Sequence, residues 1–258
     1  MSLVSNLGQR LRLLRTTLTR RFIWHDLTAM VKSHGYELRE IRANTHPFRF
    51  ARQFVGHGDA TPPPDFAQRI GSPNQFELAS SHAWNSEPSV SEFLGELAFY
   101  QRANNVVELG CYVGWTSAHI ALGLQAAGNG GQLWCLDYDA RFLDAARSNL
   151  TRLGLNGSVK FVKGLSLESA TLAALPKTID LLFIDTSHEY RDTLNEIAAY
   201  LPKLAPGGLI VLHDSISQDG VRRAVFDRWP DFETLTFATE FGNGLTVMRS
   251  HSSATTRA

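Results

Sequence analysis

The sequence predicts an α/β chain built on a doubly wound, mostly parallel sheet, and three observations predict it. Short runs of Val, Ile, Leu and Phe alternate with helical stretches from about residue 106 onward. The first of these runs passes directly into a glycine loop that opens a helix, Glu108-Leu-Gly110-Cys-Tyr112-Val-Gly114-Trp-Thr116. Three of the runs lead into an acid: Asp137, Asp185 and, one residue further on, Asp214. Alternating strands and helices argue for parallel strands covered on both faces. In such a sheet, ligands bind at the carboxyl ends of the strands, where these acids fall.

Taken in order, residues 1–25 carry Arg10, Arg12, Arg15, Arg20 and Arg21 and no acid, and Leu3, Leu7, Leu11, Leu14, Leu18 and Phe22 form one helical stripe. Three readings of this basic amphipathic helix are open. It packs on the core or on a second subunit, it contacts an acidic membrane surface, or it is a transit segment. A second helix is expected from Trp24 to about Leu38. Residues 42–75, with His46-Pro47, Gly56-His57-Gly58 and Pro62-Pro63-Pro64, read as a long irregular connection. Ser86-Glu87-Pro88-Ser89 starts a helix running to about Gln101, with Val90, Phe93, Leu94 and Leu97 inward. Strands are expected at Val106–Leu109, Gln132–Leu136, Val159–Val162, Leu181–Ile184, Leu209–Leu212 and Leu245–Met248. Helices are expected at 115–127, 140–153, 167–174, 189–203 and 219–228. The chain thus divides into a helical and irregular extension (1–75), a main domain (76–250) and a polar tail (251–258).

Composition narrows the function. Hydrophobic residues make up 43% and charged residues 19% of 258 residues, an ordinary globular balance. Lys+Arg and Asp+Glu each number 25, so no net charge points to nucleic acid. Cys111 and Cys135 form neither a disulfide framework nor a CxxC zinc pair. No apolar run approaches the roughly 20 residues of a membrane span, so the expectation is a soluble, cytoplasmic protein.

The strand, glycine loop, helix, second strand and terminal Asp137 together point to a nucleoside cofactor, since an acid there can accept hydrogen bonds from ribose hydroxyls. The G-x-G-x-x-G spacing of dinucleotide sites is absent. Glu108 would repel a phosphate and suits a cationic amine, so S-adenosylmethionine fits better than NAD.

Val106-Val-Glu-Leu-Gly-Cys-Tyr-Val-Gly-Trp-Thr-Ser117 resembles the first motif of class I S-adenosylmethionine-dependent methyltransferases, most closely the catechol O-methyltransferase branch. The likeness continues through Asp137, Gly164-Leu-Ser166, Phe183-Ile-Asp185 and Leu204-Ala-Pro-Gly-Gly-Leu-Ile-Val-Leu-His-Asp214. Asp185-Thr-Ser-His188 and the Gly-Gly-x-x-x-x-His-Asp stretch also resemble metal-dependent macrolide-sugar O-methyltransferases and cephalosporin-hydroxylase-like proteins. The resemblance covers about 80–250 and implies a seven-stranded Rossmann-like sheet. It implies that Glu108 and the Gly110, Tyr112, Gly114 and Thr116 loop hold the methionine end and ribose. It further assigns the ribose to Asp137, with Tyr138, Ser166 and Leu167 toward the adenine, and Asp185 also at the cofactor.

Asp185 and Asp214 end two buried strands at one sheet edge, where unpaired charge is costly unless a metal or a counter-charge meets it. Their oxygens suit a hard cation such as magnesium. In the catechol branch an Asn after the second Asp completes the ligand set, and Ser215 stands there; in the sugar branch the residue before it is acidic, and His213 stands there. The expected metal ligands are therefore Asp185, His213 and Asp214. His188 occupies the slot of the catalytic base, and an imidazole titrating near neutrality suits removal of a hydroxyl proton. His82-Ala-Trp84, Ser217–Gly220 and 240–244 are the expected roof of the acceptor pocket. The function so implied is O-methylation of a small molecule with adjacent hydroxyls, a sugar-bearing natural product or a catechol. Methylation of a macromolecule and a non-catalytic adenosyl-binding or membrane-docking module are the alternatives. Self-association through the N-terminal helices is also open.

Overall fold

A computed structural model describes residues 38–40, 62–76, 85–228, 232–239 and 241–250. The expected helix over 1–25, the expected helix from Trp24 to about Leu38 apart from Leu38 itself, which lies in a strand, His46, His57, and His82-Ala-Trp84 lie outside these residues.

The main elements follow in chain order. Strand β1 (Leu38–Glu40) precedes a short helix α1 (Phe66–Ile70), and α2 (Pro88–Gln101) leads into β2 (Asn105–Leu109). Then α3 (Trp115–Ala127), β3 (Gln132–Asp137), α4 (Ala140–Arg152), β4 (Val159–Lys163), α5 (Ser169–Ala174) and β5 (Ile179–Ile184) alternate. The chain closes with α6 (Tyr190–Tyr200), β6 (Leu204–His213), α7 (Asp219–Arg228), β7 (Phe232–Ala238) and β8 (Leu245–Ser250). Among the described residues all strands form one sheet, in the order β1-β7-β8-β6-β5-β2-β3-β4. Every pairing is parallel except those of β8, which runs antiparallel to β6 and β7. The core is thus the expected seven-stranded, mostly parallel sheet, with β1 added at one edge.

The apolar runs are continuous because both faces of the sheet are covered. Val106, Leu181, Phe183, Leu209 and Val211 point into the layer that holds α2, α3 and α4. Val107, Leu109, Leu182, Ile184, Ile210 and Leu212 point into the opposite layer with Ile197 and Tyr200 of α6 and Val221 and Val225 of α7. Successive strand residues face opposite sides, so one unbroken run serves two cores.

Helix α2 begins with Pro88 at its first position, where a missing N–H costs nothing. Val90, Phe93, Leu94 and Leu97 are fully buried, as the pattern predicts. Helices α3 and α7 match the expected spans, whereas α6 stops at Tyr200 because Leu201-Pro202-Lys203 tightens into a 3-10 turn.

Three elements depart from the sequence reading. Part of the 42–75 stretch is helical: Asp65 caps α1 by accepting from the Gln68 N–H, and Phe66 and Ile70 enter the core. Leu38–Glu40 is strand, with Leu38 opposite Thr236 of β7. Strand β7 is not among the six strands read from the residue pattern, although the resemblance implies a seventh; its buried Thr234 and Thr236 dilute the apolar alternation that marks a strand. No helix among the described residues is long and apolar enough to cross a membrane.

Candidate active site

The glycine loop is pinned to the end of β3. The Gly110 and Cys111 N–H groups both donate to the Leu136 carbonyl, at 2.9 and 3.0 Å. Gly110 has φ 84°, and a Cβ there would lie 2.0 Å from the Asp185 carbonyl oxygen. Only glycine lets the β2 and β5 ends approach so closely. Tyr112 adopts φ 47°, an uncommon conformation for a residue with a side chain. Its N–H donates to Asp137 Oδ2 at 3.0 Å, while the Asp139 N–H donates to Oδ1 at 3.0 Å. Burial pushes the Asp137 pKa up against these backbone donors. In the loops that follow β3 and β4 three large apolar side chains are exposed, Tyr138 (65% exposed), Leu165 and Leu167 (37%).

Other predicted cofactor residues are engaged within the protein. Glu108 is 1% exposed and accepts from Ser117 and from the Cys135 thiol at 3.6 Å. Burial raises its pKa to about 8, so it is protonated at neutral pH. Thr116 shares a 3.1 Å hydrogen bond with Ser91 of α2. Ser166 donates to Glu196 on α6 at 2.6 Å, and Thr186 donates to the other Glu196 oxygen at 2.8 Å. Glu196 thereby ties the loop after β4 to the loop after β5. Gly114 has φ 84° and starts α3 where a Cβ would press on Leu150 and Ala146 of α4.

One loop away, the ends of β5 and β6 bring the acids and histidines together. His188 Nε2 lies 3.0 Å from Asp214 Oδ2 and 3.5 Å from Asp185 Oδ1. His213 Nδ1 lies 3.4 Å from Asp185 Oδ2 and 3.3 Å from Asp214 Oδ2. Its Nε2 donates to Glu87 Oε2 at 2.7 Å. Ser86 donates to Asp185 Oδ2 at 3.2 Å, and Ser217 donates to Asp214 Oδ1 at 2.9 Å. His188 and Asp214 both have positive φ, 61° and 56°. Together with Tyr112, three such residues cluster at this sheet edge, where backbone strain is characteristic of functional sites.

The electrostatics follow from this geometry. Hydrogen bonds to Asp185 and Asp214 outweigh burial and raise the His188 pKa to about 9. Burial opposes protonation of His213, yet Asp185, Asp214 and Glu87 raise its pKa well above the usual imidazole value. Burial likewise opposes ionisation of Asp185, Asp214 and Glu87, but the histidines, with Thr239 for Glu87, hold all three below their ordinary values. Three carboxylates therefore face two imidazolium groups, one negative charge in excess. In this state His188 keeps its proton at neutral pH.

Asp185, His188 and Asp214 place one donor atom each within 4.8 Å of one another, a spacing that suits a metal ion. His213 is not in that trio; its two nitrogens face Glu87 on one side and the carboxylates on the other. The Ser215 hydroxyl, next to Asp214, is buried without a hydrogen-bond partner among the described residues. The site also contains residues that sequence reasoning missed: Ser86 and Glu87, read as a helix start, and Thr239, which donates to Glu87 Oε1 at 2.7 Å. The only signal was an acid immediately before Pro88, ambiguous with an ordinary helix start.

Residues 107–215 match a family profile described as a methyltransferase domain. A catechol O-methyltransferase from Niastella koreensis is 25% identical over 158 residues, 58% of this chain and 66% of its own length. One from Mycobacterium tuberculosis is 33% identical over 132 residues, 50% of this chain and 56% of its own. The chain thus spans between about half and two thirds of these curated relatives. Among solved structures, an O-methyltransferase from Bacillus cereus in complex with S-adenosylhomocysteine (SAH) superimposes with TM-score 0.57 at 20% identity, covering 82% of this chain and 93% of its own. The O-methyltransferase TomG from Streptomyces achromogenes, involved in tomaymycin synthesis and solved with S-adenosylmethionine, gives 0.58 at 19% identity, covering 78% and 96%. At these identities the structural likeness establishes the fold.

Proposed function

We propose that this chain is a methyltransferase, and that it transfers a methyl group from S-adenosylmethionine to a hydroxyl of a small molecule with two neighbouring oxygens, assisted by a divalent cation. A sugar-bearing natural product or a catechol meets that description. The observation that carries this reading is the Asp185, His188 and Asp214 cluster, which meets the glycine loop through the contact of Gly110 with the Asp185 carbonyl. The names of the relatives support the reaction class.

The residues fit both the cofactor and the cation. Asp137, held by two backbone N–H groups, offers its remaining lone pairs to ribose hydroxyls, and Tyr138, Leu165 and Leu167 offer an apolar cradle to an adenine. Asp185 and Asp214 supply hard oxygens with an excess negative charge, and the unpartnered Ser215 hydroxyl is a further oxygen donor. S-adenosylmethionine supplies the electrophilic methyl on its sulfonium, and a divalent cation lowers the pKa of a hydroxyl that it coordinates.

His188 then has a defined task. A cation held by Asp185 and Asp214 would offset the negative charge that keeps the His188 proton in place. In this role His188 is not itself a ligand: Asp185 and Asp214 would hold the cation, and the His188 Nε2 would accept the hydroxyl proton as the substrate oxygen takes the methyl group. About a third of the His188 side chain is exposed, which gives that proton a route to solvent. His188→Ala should lose transfer while keeping SAH affinity. The decisive experiment is titration calorimetry with SAH, with magnesium or manganese and after chelation, followed by methyl transfer to catechols and vicinal diols. A folded protein that binds no SAH under any of these conditions refutes the proposal.

A further inference from the structure

Glu87 sits where a helix cap belongs but does not cap. It precedes Pro88 at the start of α2, and its side chain makes no hydrogen bond to the helix N–H groups. The two carboxylate oxygens are instead spent elsewhere. Oε2 accepts from His213 Nε2 at 2.7 Å, and Oε1 accepts from Thr239 Oγ1 at 2.7 Å. Thr239 is held in turn, because its oxygen accepts from the Gly244 N–H at 2.9 Å. The Glu87 side chain is fully buried and that of His213 is 5% exposed. Charge buried this deeply must be matched by a fixed partner.

The consequence reaches the carboxylate pair. With Nε2 anchored on Glu87, the His213 ring can present only Nδ1 to Asp185 and Asp214. Ser86, the residue before Glu87, donates to the same Asp185 oxygen. Asp185 Oδ2 is therefore committed to the α2 side, and Oδ1 is left facing His188. Asp214 Oδ1 is committed to Ser217, which leaves Oδ2 toward His188 and His213.

We propose that Glu87 is a positioning residue, which through His213 fixes the His188-facing oxygens, Asp185 Oδ1 and Asp214 Oδ2, in the orientation that receives the cation. This rests on the cation-assisted reading above. A buried pair serving stability alone would change melting temperature and nothing else, so the two roles separate by measurement. Partners that orient metal ligands typically change metal affinity about 10- to 100-fold when lost.

The test is calorimetric titration of Mn²⁺ into the full chain saturated with SAH, for wild type, Glu87→Gln and Thr239→Val. Glu87→Gln keeps the shape and removes the charge; Thr239→Val keeps the charge and removes one anchor. Expected is Mn²⁺ affinity about 10- to 100-fold weaker in Glu87→Gln and weakened less in Thr239→Val, with metal-free SAH affinity unchanged in both. Should Glu87→Gln fail to fold, Thr239→Val decides alone. Wild-type Mn²⁺ affinity in a folded variant, or a loss of SAH affinity as large as that of Mn²⁺, overturns the positioning role. A wild-type protein that binds SAH but no Mn²⁺ overturns the cation reading and this inference with it.

Discussion

Replacing Gly110 by alanine should damage both halves of the site through a single methyl group. The new Cβ would sit 2.0 Å from the Asp185 carbonyl oxygen, where ordinary contact begins near 3.4 Å. The neighbour is backbone, held by the Asp185 N–H donating to Leu109 at 3.0 Å, so it cannot swing aside as a flexible side chain would. The left-handed φ of 84° adds about 1–2 kcal/mol for any residue with a Cβ. Relief of the overlap by shifting backbone adds about 1–3 kcal/mol. A total near 3 kcal/mol should lower the melting temperature by about 6–12 °C in a chain of this size. Gly128 supplies the control: its φ is 67°, yet a Cβ there meets nothing within 4 Å. Gly128→Ala should therefore cost only the conformational part, about 1–2 kcal/mol. Thermal denaturation by circular dichroism, with SAH titration of each folded variant, reads both effects. If Gly110→Ala melts with Gly128→Ala and binds SAH like wild type, the claimed contact between the loop and Asp185 is wrong.

Two further outcomes follow from the same geometry. Asp137→Ala should weaken SAH binding roughly 10- to 100-fold, the loss expected for hydrogen bonds to a charged acceptor, and calorimetry that finds full affinity removes Asp137 from the cofactor site. His119 concerns acid stability. Its ring is buried against Trp115 and Phe66 with Nδ1 2.9 Å from the Trp115 carbonyl, and burial lowers its pKa to about 4 from 6.5. As pH falls from 6.5 to 4 the unfolded chain takes up a proton that the folded one refuses, so stability declines by about 3 kcal/mol across that window. Urea denaturation at several pH values should show this slope flattened in His119→Gln; an identical slope would mean that His119 titrates normally.

How far the sequence could be read depends on what each residue answers to. Helix α3 matches because Gly114 opens it and Gly128 closes it, both local signals. Strands β5 and β6 announce themselves because their two buried faces demand unbroken apolar runs. Strand β7 does not, since Thr234 and Thr236 are buried there and Thr236 pairs its hydroxyl with Thr246 across the sheet. Helix α1 has five residues, too few to display a period. In the site, Asp185, His188 and Asp214 were legible because each ends or follows a recognisable strand. Glu87 was not, for its meaning comes from a histidine far along the chain. Nor could the sequence reveal that Glu108 turns inward to Ser117 and Cys135: a strand-end acid looks the same whether it faces a ligand or the core.

The bonds that complete the site join distant parts of the chain. Ser86 and Asp185 are separated by 99 positions, Glu87 and His213 by 126, and Glu87 and Thr239 by 152. Contacts of such long range form only after the entropy of closing the intervening loops has been overcome. A growing chain can therefore assemble the β2–β3–β4 half of the sheet while its acids and histidines are still unorganised. Only when β8 has inserted between β6 and β7 and α2 has docked do Glu87, His213 and Thr239 meet. Assembly of this cluster is thus a marker of completed folding, and partly folded chains would lack the organised chemistry as well as the finished core.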